Sequence, residues 1–172
     1  MNESQAQIIN EIALQKIAAG AVQIQKQRPA GTPIGYWNNN PGNLLSDGRT
    51  LWNGAKKVQP KGANLEFSDY GSGYRAMART LYNYKAKHGL DTLQAILARY
   101  AKSATAAKRV AYEKFIRSKT GWKPGAKIDL TDTDTLHQLV PAMADFEIGP
   151  KFTAYHDPSV VSNAVLRAIP PK

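Results

Sequence analysis

No helical period survives between Pro29 and Asp69, and after Asp69 little other than helical period remains. The first segment is built from turn formers: Pro29, Gly31, Pro33 and Gly35, then Asn38-Asn39-Asn40-Pro41-Gly42-Asn43. Gly and Asn tolerate left-handed backbone and Pro fixes φ, so such a run reads as turns; this is the expected role of Asn39 and Asn40. Three short strands are expected within the segment, at Gly42–Leu45, Thr50–Trp52 and Asn64–Phe67, with Ser46-Asp47-Gly48-Arg49 as a turn. An irregular stretch of roughly 40 residues is uncommon in a compact domain unless it carries function. This one holds two of the three tryptophans, Trp37 and Trp52.

Beyond Asp69 the pattern predicts five helices. Ser72–His88 places Tyr74, Met77, Ala78, Leu81 and Tyr84 on one stripe and stops at Gly89. Asp91 or Thr92 opens a short helix to Tyr100, and a third helix runs from about Ala104 to Lys119. Thr131-Asp132-Thr133-Asp134 opens a fourth, which reaches Ile148 and contains Pro141, a residue expected to kink it. Asp157-Pro158 opens a fifth, through about Ile169. The helical tyrosines Tyr82, Tyr84 and Tyr100 are expected in the core. At the other end, residues 3–27 read as a helix apolar on most sides, which needs partners around it. The expected organisation is an N-terminal helical arm, residues 1–29, for assembly or tethering, and a helical domain over residues 30–172. The fold class is mainly α with a small β element.

Composition removes whole classes of chemistry. With no cysteine among 172 residues, disulfides, thiolate zinc sites and thiol catalysis are excluded. His88, His137 and His156 lack metal-ligand spacing, so no metal and no cofactor is expected. A net charge of +10 favours an anionic partner, although the lysines are scattered rather than blocked and fit an ordinary solvated basic surface equally well. Aromatic residues are not interleaved with a basic stripe, which disfavours nucleic acid as that partner. No apolar run approaches the ~20 residues that span a bilayer. The first residues, MNESQAQIINEIALQK, lack the basic and apolar regions of a signal peptide, so synthesis in the bacterial cytoplasm without a cleaved signal is expected.

A hydrolytic site would then draw on the 13 acids. Asp91, Asp132, Asp134 and Asp157 read as helix caps, Asp47 as a turn residue, Asp129 as the lead into a cap cluster and Glu113 as part of a charged helix. Glu3 and Glu11 fall on the arm. Glu66, Asp69, Asp145 and Glu147 remain. With Leu136 at 0° and about 100° per residue, Met143 falls at about −20° and Glu147 at about +20°, while Asp145 falls at about 180°. Glu147 therefore continues the buried stripe and Asp145 is expected to face water. Glu147 also sits in the last helical turn, where the helix dipole and burial both disfavour a carboxylate, as a general acid requires. The competing reading is a structural Glu whose carboxyl is satisfied within the core.

Asn38-Asn39-Asn40-Pro41-Gly42-Asn43-Leu44 resembles the N-N-P-G-N-I/L signature of a family of bacteriophage and prophage proteins, described as virion structural proteins or peptidoglycan hydrolases. Further blocks follow in order: Phe67 to Met77 with Gly73-Tyr74-Arg75-Ala76-Met77, then Gly89-Leu90-Asp91-Thr92, then Phe146-Glu147-Ile148-Gly149 with Ala154-Tyr155. The match covers about residues 36 to 168. The chain departs from the family at Ile148, where Asn or Ser is usual. It departs again at Tyr70-Gly71-Ser72, where a carboxylate-bearing pair often stands, leaving Glu66 and Asp69 as candidate second carboxylates. Glu147-Ile148-Gly149 is also similar to the catalytic helix end of lysozyme-like transglycosylases, in which one Glu protonates the glycosidic oxygen.

These resemblances imply a lysozyme-like helical domain that cleaves the MurNAc–GlcNAc strand of peptidoglycan, with Glu147 as general acid. Tyr36, Trp37, Trp52, Tyr74 and Tyr155 would offer faces to sugar rings, and Asn38 and Asn43 hydrogen bonds. The implied location is the phage virion, in the tail or interior, with action in the periplasm. The implied partners are peptidoglycan and, through the N-terminal helix, other virion proteins or further copies of the chain. The alternative is a non-catalytic tail, structural or ejection protein that uses the same domain for wall binding or assembly.

Overall fold

The computed structural model describes residues 28–170; the helix expected over residues 3–27, and with it most of the arm, lies outside them. The chain divides into two compact units, Met1–Thr32 and Pro33–Lys172. Within the second, the described residues form α1 (Ile34–Trp37), α2 (Tyr70–His88), α3 (Leu93–Tyr100), α4 (Ala106–Thr120), α5 (Thr133–Ile148), α6 (Pro150–Thr153) and α7 (Pro158–Leu166). The architecture is mainly α.

Each long helix begins at a side chain that accepts one of its unpaired first-turn amides. Asp69 accepts from Ser72 N, Thr92 from Ala95 N, Thr105 from Lys108 N, Asp132 from Thr135 N and Asp157 from Ser159 N. α2 stops where Gly89 takes a left-handed φ of 66°, with Lys85, Lys87 and His88 at the negative end of its dipole. Pro141 is accommodated inside α5. The single-turn helices α1 and α6 were too short to leave a period in the sequence.

The expected β element is reduced to two isolated antiparallel bridges, Leu45–Asn64 and Ala55–Phe67, and Thr50–Trp52 forms neither. Turns break the ladder, with Gly48, Gly54 and Gly62 all at φ of 80° or more. A side chain also supplements the main-chain bonds that remain, such as Leu65 N to Leu44 O at 2.9 Å. The carboxamide of Asn40, fully buried, donates to Leu44 O and Leu65 O at 2.9 and 3.1 Å and accepts from Leu44 N at 3.0 Å. It thus joins the segments around Leu44 and Leu65 in the way a strand pair would.

α2 packs on α7, and α5 on α4, α6 and α7. Their inward faces, with α3, enclose the main core around Met77, Leu81, Ile96, Ile116, Leu136 and Leu139. Each such side chain contributes about 1.5–3 kcal/mol of burial. Tyr112 of α4 stacks on Phe146 of α5 with ring centroids 3.8 Å apart. A smaller core of Leu65, Phe67 and Ala76 seats the irregular segment on α2, with Leu44, Trp52 and Ala55 packed against it.

The Asn38–Asn43 turn approaches the helices so closely that glycine is required. A Cβ on Gly73 would lie 2.0 Å from Asn39 O, and one on Gly42 would lie 2.4 Å from the Tyr100 hydroxyl. Gly73→Ala should therefore destabilise the protein by at least about 2 kcal/mol, lowering Tm by roughly 5 °C or more in thermal unfolding. An unchanged Tm would show that the turn can move off α2 at no cost.

Candidate functional site

Glu147, the penultimate residue of α5, reaches the floor of a cleft of about 820 Å³. One wall is the irregular segment, with Asn43, Leu44 and Trp52; the other is α3 and α4, with Arg99, Tyr100, Lys108 and Tyr112. Among the described residues lining the cleft, Glu147 is the one acid, facing Arg99, Lys102 and Lys108. Trp52 is half-buried, one part in the small core and the remainder along the cleft. Such a groove offers aromatic faces and polar edges around one carboxyl.

Asn43 links the loop to the acid. Its backbone has φ 47°, a left-handed conformation that Asn adopts more readily than most residues. From there its Nδ2 donates to Glu147 Oε2 at 3.1 Å and to Glu147 O at 3.2 Å. Next to it, Gly42 O accepts from the Tyr100 hydroxyl at 2.6 Å. The loop is thereby fastened to α5 and to α3 on either side of the cleft.

Burial raises the pKa of Glu147 above its ordinary value, against the opposing influence of the Asn43 amide, the Tyr112 hydroxyl and the Lys108 charge. The position at the negative end of α5 acts in the same direction as burial. Tyr100 and Tyr112 titrate well above the ordinary tyrosine range, pushed up by burial and by the Glu147 charge, so both remain hydrogen-bond donors. The net balance suits a carboxyl that carries its proton closer to neutrality than a solvated Glu does.

Other residues marked in the sequence fall elsewhere. Glu66 pairs with Lys56. Asp69 caps α2; burial works to raise its pKa, but hydrogen bonds from Ser72 and Ser68 prevail and hold it below the ordinary value. Neither residue lines the Glu147 cleft. Asn38 acts through its main chain, accepting from Phe67 N at 2.9 Å, and Asn39 donates to Phe67 O and Ser68 O. Trp37 ends α1 and lines neither large cavity, and Tyr155 is exposed.

Tyr74 and Tyr36 belong to a different place. Tyr74 is buried, and its hydroxyl meets His156 Nδ1 at 3.0 Å. Tyr36 stacks over His156 at 5.8 Å and tilts against Phe152 at 4.9 Å. Tyr74 and His156 line a second cavity of about 600 Å³, bounded by His137, Pro141 and Asp145 on a different face of α5. Asp145 does not face water as expected: it accepts from Thr153 Oγ1 and pairs with Lys119 at 3.0 Å. The chain reverses at Gly149 and lays α6 over it, a fold-back that helical periodicity does not encode. Tyr82, Tyr84 and Tyr100 pack against the main core as expected, and Tyr84 and Tyr100 line the cleft as well. Their stripe continues past the edge of the core, where the irregular segment rather than a helix faces them. Arg99 and Lys108 were not singled out because isolated basic residues carry no pattern.

No metal-holding group of three His, Cys, Asp or Glu side chains occurs among the described residues, and no helix among them is long and apolar enough to cross a membrane. No family model matches the chain. It is 32% identical over 125 residues to Protein P5 of Pseudoalteromonas phage PM2, a match covering 72% of this chain and 76% of that protein.

The raised pKa of Glu147 has a consequence for stability. A carboxyl with a higher pKa folded than unfolded favours folding fully below its unfolded pKa, an advantage lost as pH rises through the folded value. Glu147→Gln removes that loss. The variant should gain stability relative to wild type as pH rises above about 4.5, the ordinary Glu value, in denaturant titrations at a series of pH values. A difference independent of pH would contradict the assignment.

Proposed function

The chain belongs to the family of Protein P5 of Pseudoalteromonas phage PM2, and on that premise we propose that it is a virion-associated phage enzyme that cleaves the MurNAc–GlcNAc strand of peptidoglycan. The observation that carries the reading is Glu147: a single partly buried carboxyl at a helix C-terminus, in a cleft of about 820 Å³ with aromatic and basic lining. The helical domain around it is lysozyme-like in this account, with the acid ending a helix and an irregular lobe opposite.

Protonated Glu147 donates its proton to the glycosidic oxygen, and the C1–O bond breaks as that oxygen leaves as a hydroxyl. Most glycosidases place a second carboxylate beneath C1. Here the substrate's own 2-acetamido oxygen takes that role, bonding to C1 as the leaving group departs. Glu147, now ionised, accepts a proton from the second nucleophile as that nucleophile's oxygen bonds to C1 and the bond from C1 to the acetamido oxygen breaks, restoring the acetamido group. Water in that role gives a reducing end, and the sugar's own C6 hydroxyl gives a 1,6-anhydro end. Trp52 and Tyr100 supply faces for sugar rings. Arg99 and Lys108 suit a substrate that carries carboxylates, in keeping with the net charge of +10.

The N-terminal arm, residues 1–29, serves in this account as a tether to other virion proteins or to further copies, and the enzyme acts in the periplasm during entry or exit. The experiment is release of soluble fragments from purified peptidoglycan by wild type and by Glu147→Gln, with the product ends identified. Release should fall at least about 100-fold in the folded variant, the loss expected for a general acid. Failure of folded wild type to release fragments at any pH or salt tested would overturn the enzyme reading in favour of a non-catalytic virion component.

A further inference from the structure

We propose that Asn43 is the positioning residue of this site, its carboxamide clamping the side chain and main-chain carbonyl of Glu147 to the loop that forms the opposite wall, rather than a hydrogen-bonding contact for the sugar. The inference rests on the reading of Glu147 as the acid. Three observations carry it. Nδ2 donates both to Glu147 Oε2 and to Glu147 O, so a single group fixes the carboxyl relative to its own backbone. The other end of the carboxamide is closed off: Asn43 Oδ1 is buried without a hydrogen-bond partner, and a Cβ on Gly35 would lie 2.4 Å from it. The backbone that aims the amide is left-handed at 47°, a conformation that most residues would strain to hold. A buried acceptor left unpaired and a left-handed side-chain-bearing residue are both costs that concentrate at functional sites.

The amide donates to the carboxylate and so favours its ionised form, and Glu147 would hold its proton more tightly without it. The titratable and charged groups around that carboxyl are Arg99 and Tyr100 of α3, Lys102 just beyond it, and Lys108 and Tyr112 of α4. None of them is altered in the Asn43 variant.

Asn43→Gly retains the freedom to adopt the left-handed backbone and removes only the amide. Asn39→Gly provides the comparison, because Asn39 shares the left-handed conformation in the same turn but donates to Phe67 O and Ser68 O. The Glu147 carboxyl is titrated by carbon-detected NMR on full-length protein without substrate, and kcat and KM for peptidoglycan are measured across pH. For Asn43→Gly the expected result is an upward shift of the Glu147 midpoint, and of the basic limb of kcat, with kcat down on the order of 100-fold and KM little changed. Asn39→Gly should leave the midpoint unmoved. An unshifted midpoint in Asn43→Gly, or an equal shift in both variants, would overturn the proposal. A shift confined to Asn43→Gly in a protein whose wild type releases no glycan would uphold the clamp and overturn the enzymatic reading instead.

Discussion

Asn40 has no contact with solvent, and its carboxamide makes three hydrogen bonds to the main chain of Leu44 and Leu65. A buried amide left unpaired costs about 1–3 kcal/mol, so this side chain and the peptide groups it serves hold one another in place. The irregular segment has no continuous strand ladder and is held by scattered main-chain bonds, among them Leu65 N to Leu44 O and Ser46 N to Ala63 O. Asn40 reinforces those bonds, Gly73 lets the turn rest directly on α2, and Asn39 and Asn43 are left with outward reach toward Phe67 and Glu147. The cleft exists because a loop, rather than a helix, covers this side of the helical core.

Glu147 is governed by opposed effects of similar kind. Burial and the α5 terminus favour the protonated carboxyl, while the Asn43 amide, the Tyr112 hydroxyl and Lys108 favour the ionised one. Burial prevails, but the donors keep both protonation states within reach. An acid that must release and recover a proton in one turnover needs that balance. The same helix carries Asp145 two residues earlier, where a lysine and a threonine hydroxyl engage it. Two acids on one helix thus have different chemistry because their faces meet different neighbours.

The helical frame was legible because its signals are local: caps at Thr92, Asp132 and Asp157, stops at Gly89 and Gly121, and apolar stripes between them; Asp69, read as a spare acid, is a further cap. The inward direction of Glu147 follows from the same periodicity. What sequence could not supply lies across space. The fold-back at Gly149 that covers Asp145, the separation of Tyr36 and Tyr74 from Trp52, and the arrival of Tyr100 and Lys108 opposite Glu147 all depend on how the loop meets the helices. The three strands expected around Leu44, Leu51 and Leu65 failed for a related reason. Short segments flanked by turn residues suggested strands, but turns at Gly48, Gly54 and Gly62 limit the pairing to two bridges and a few main-chain bonds, which the Asn40 side chain reinforces. Asn43 was read as a hydrogen-bonding residue for the sugar, and its partner 104 positions away could not be read from the chain.

In the proposed enzyme the glycan occupies the Glu147 cleft and not the His156 cavity. Amide and side-chain NMR shifts, followed while a short peptidoglycan fragment is titrated into the Glu147→Gln variant, separate the two. Saturable shifts are expected at Trp52, Arg99, Tyr100 and Lys108, with Tyr36, Tyr74 and His156 unmoved. Shifts centred on His156, or none at any residue of the cleft at saturating fragment, would contradict that placement.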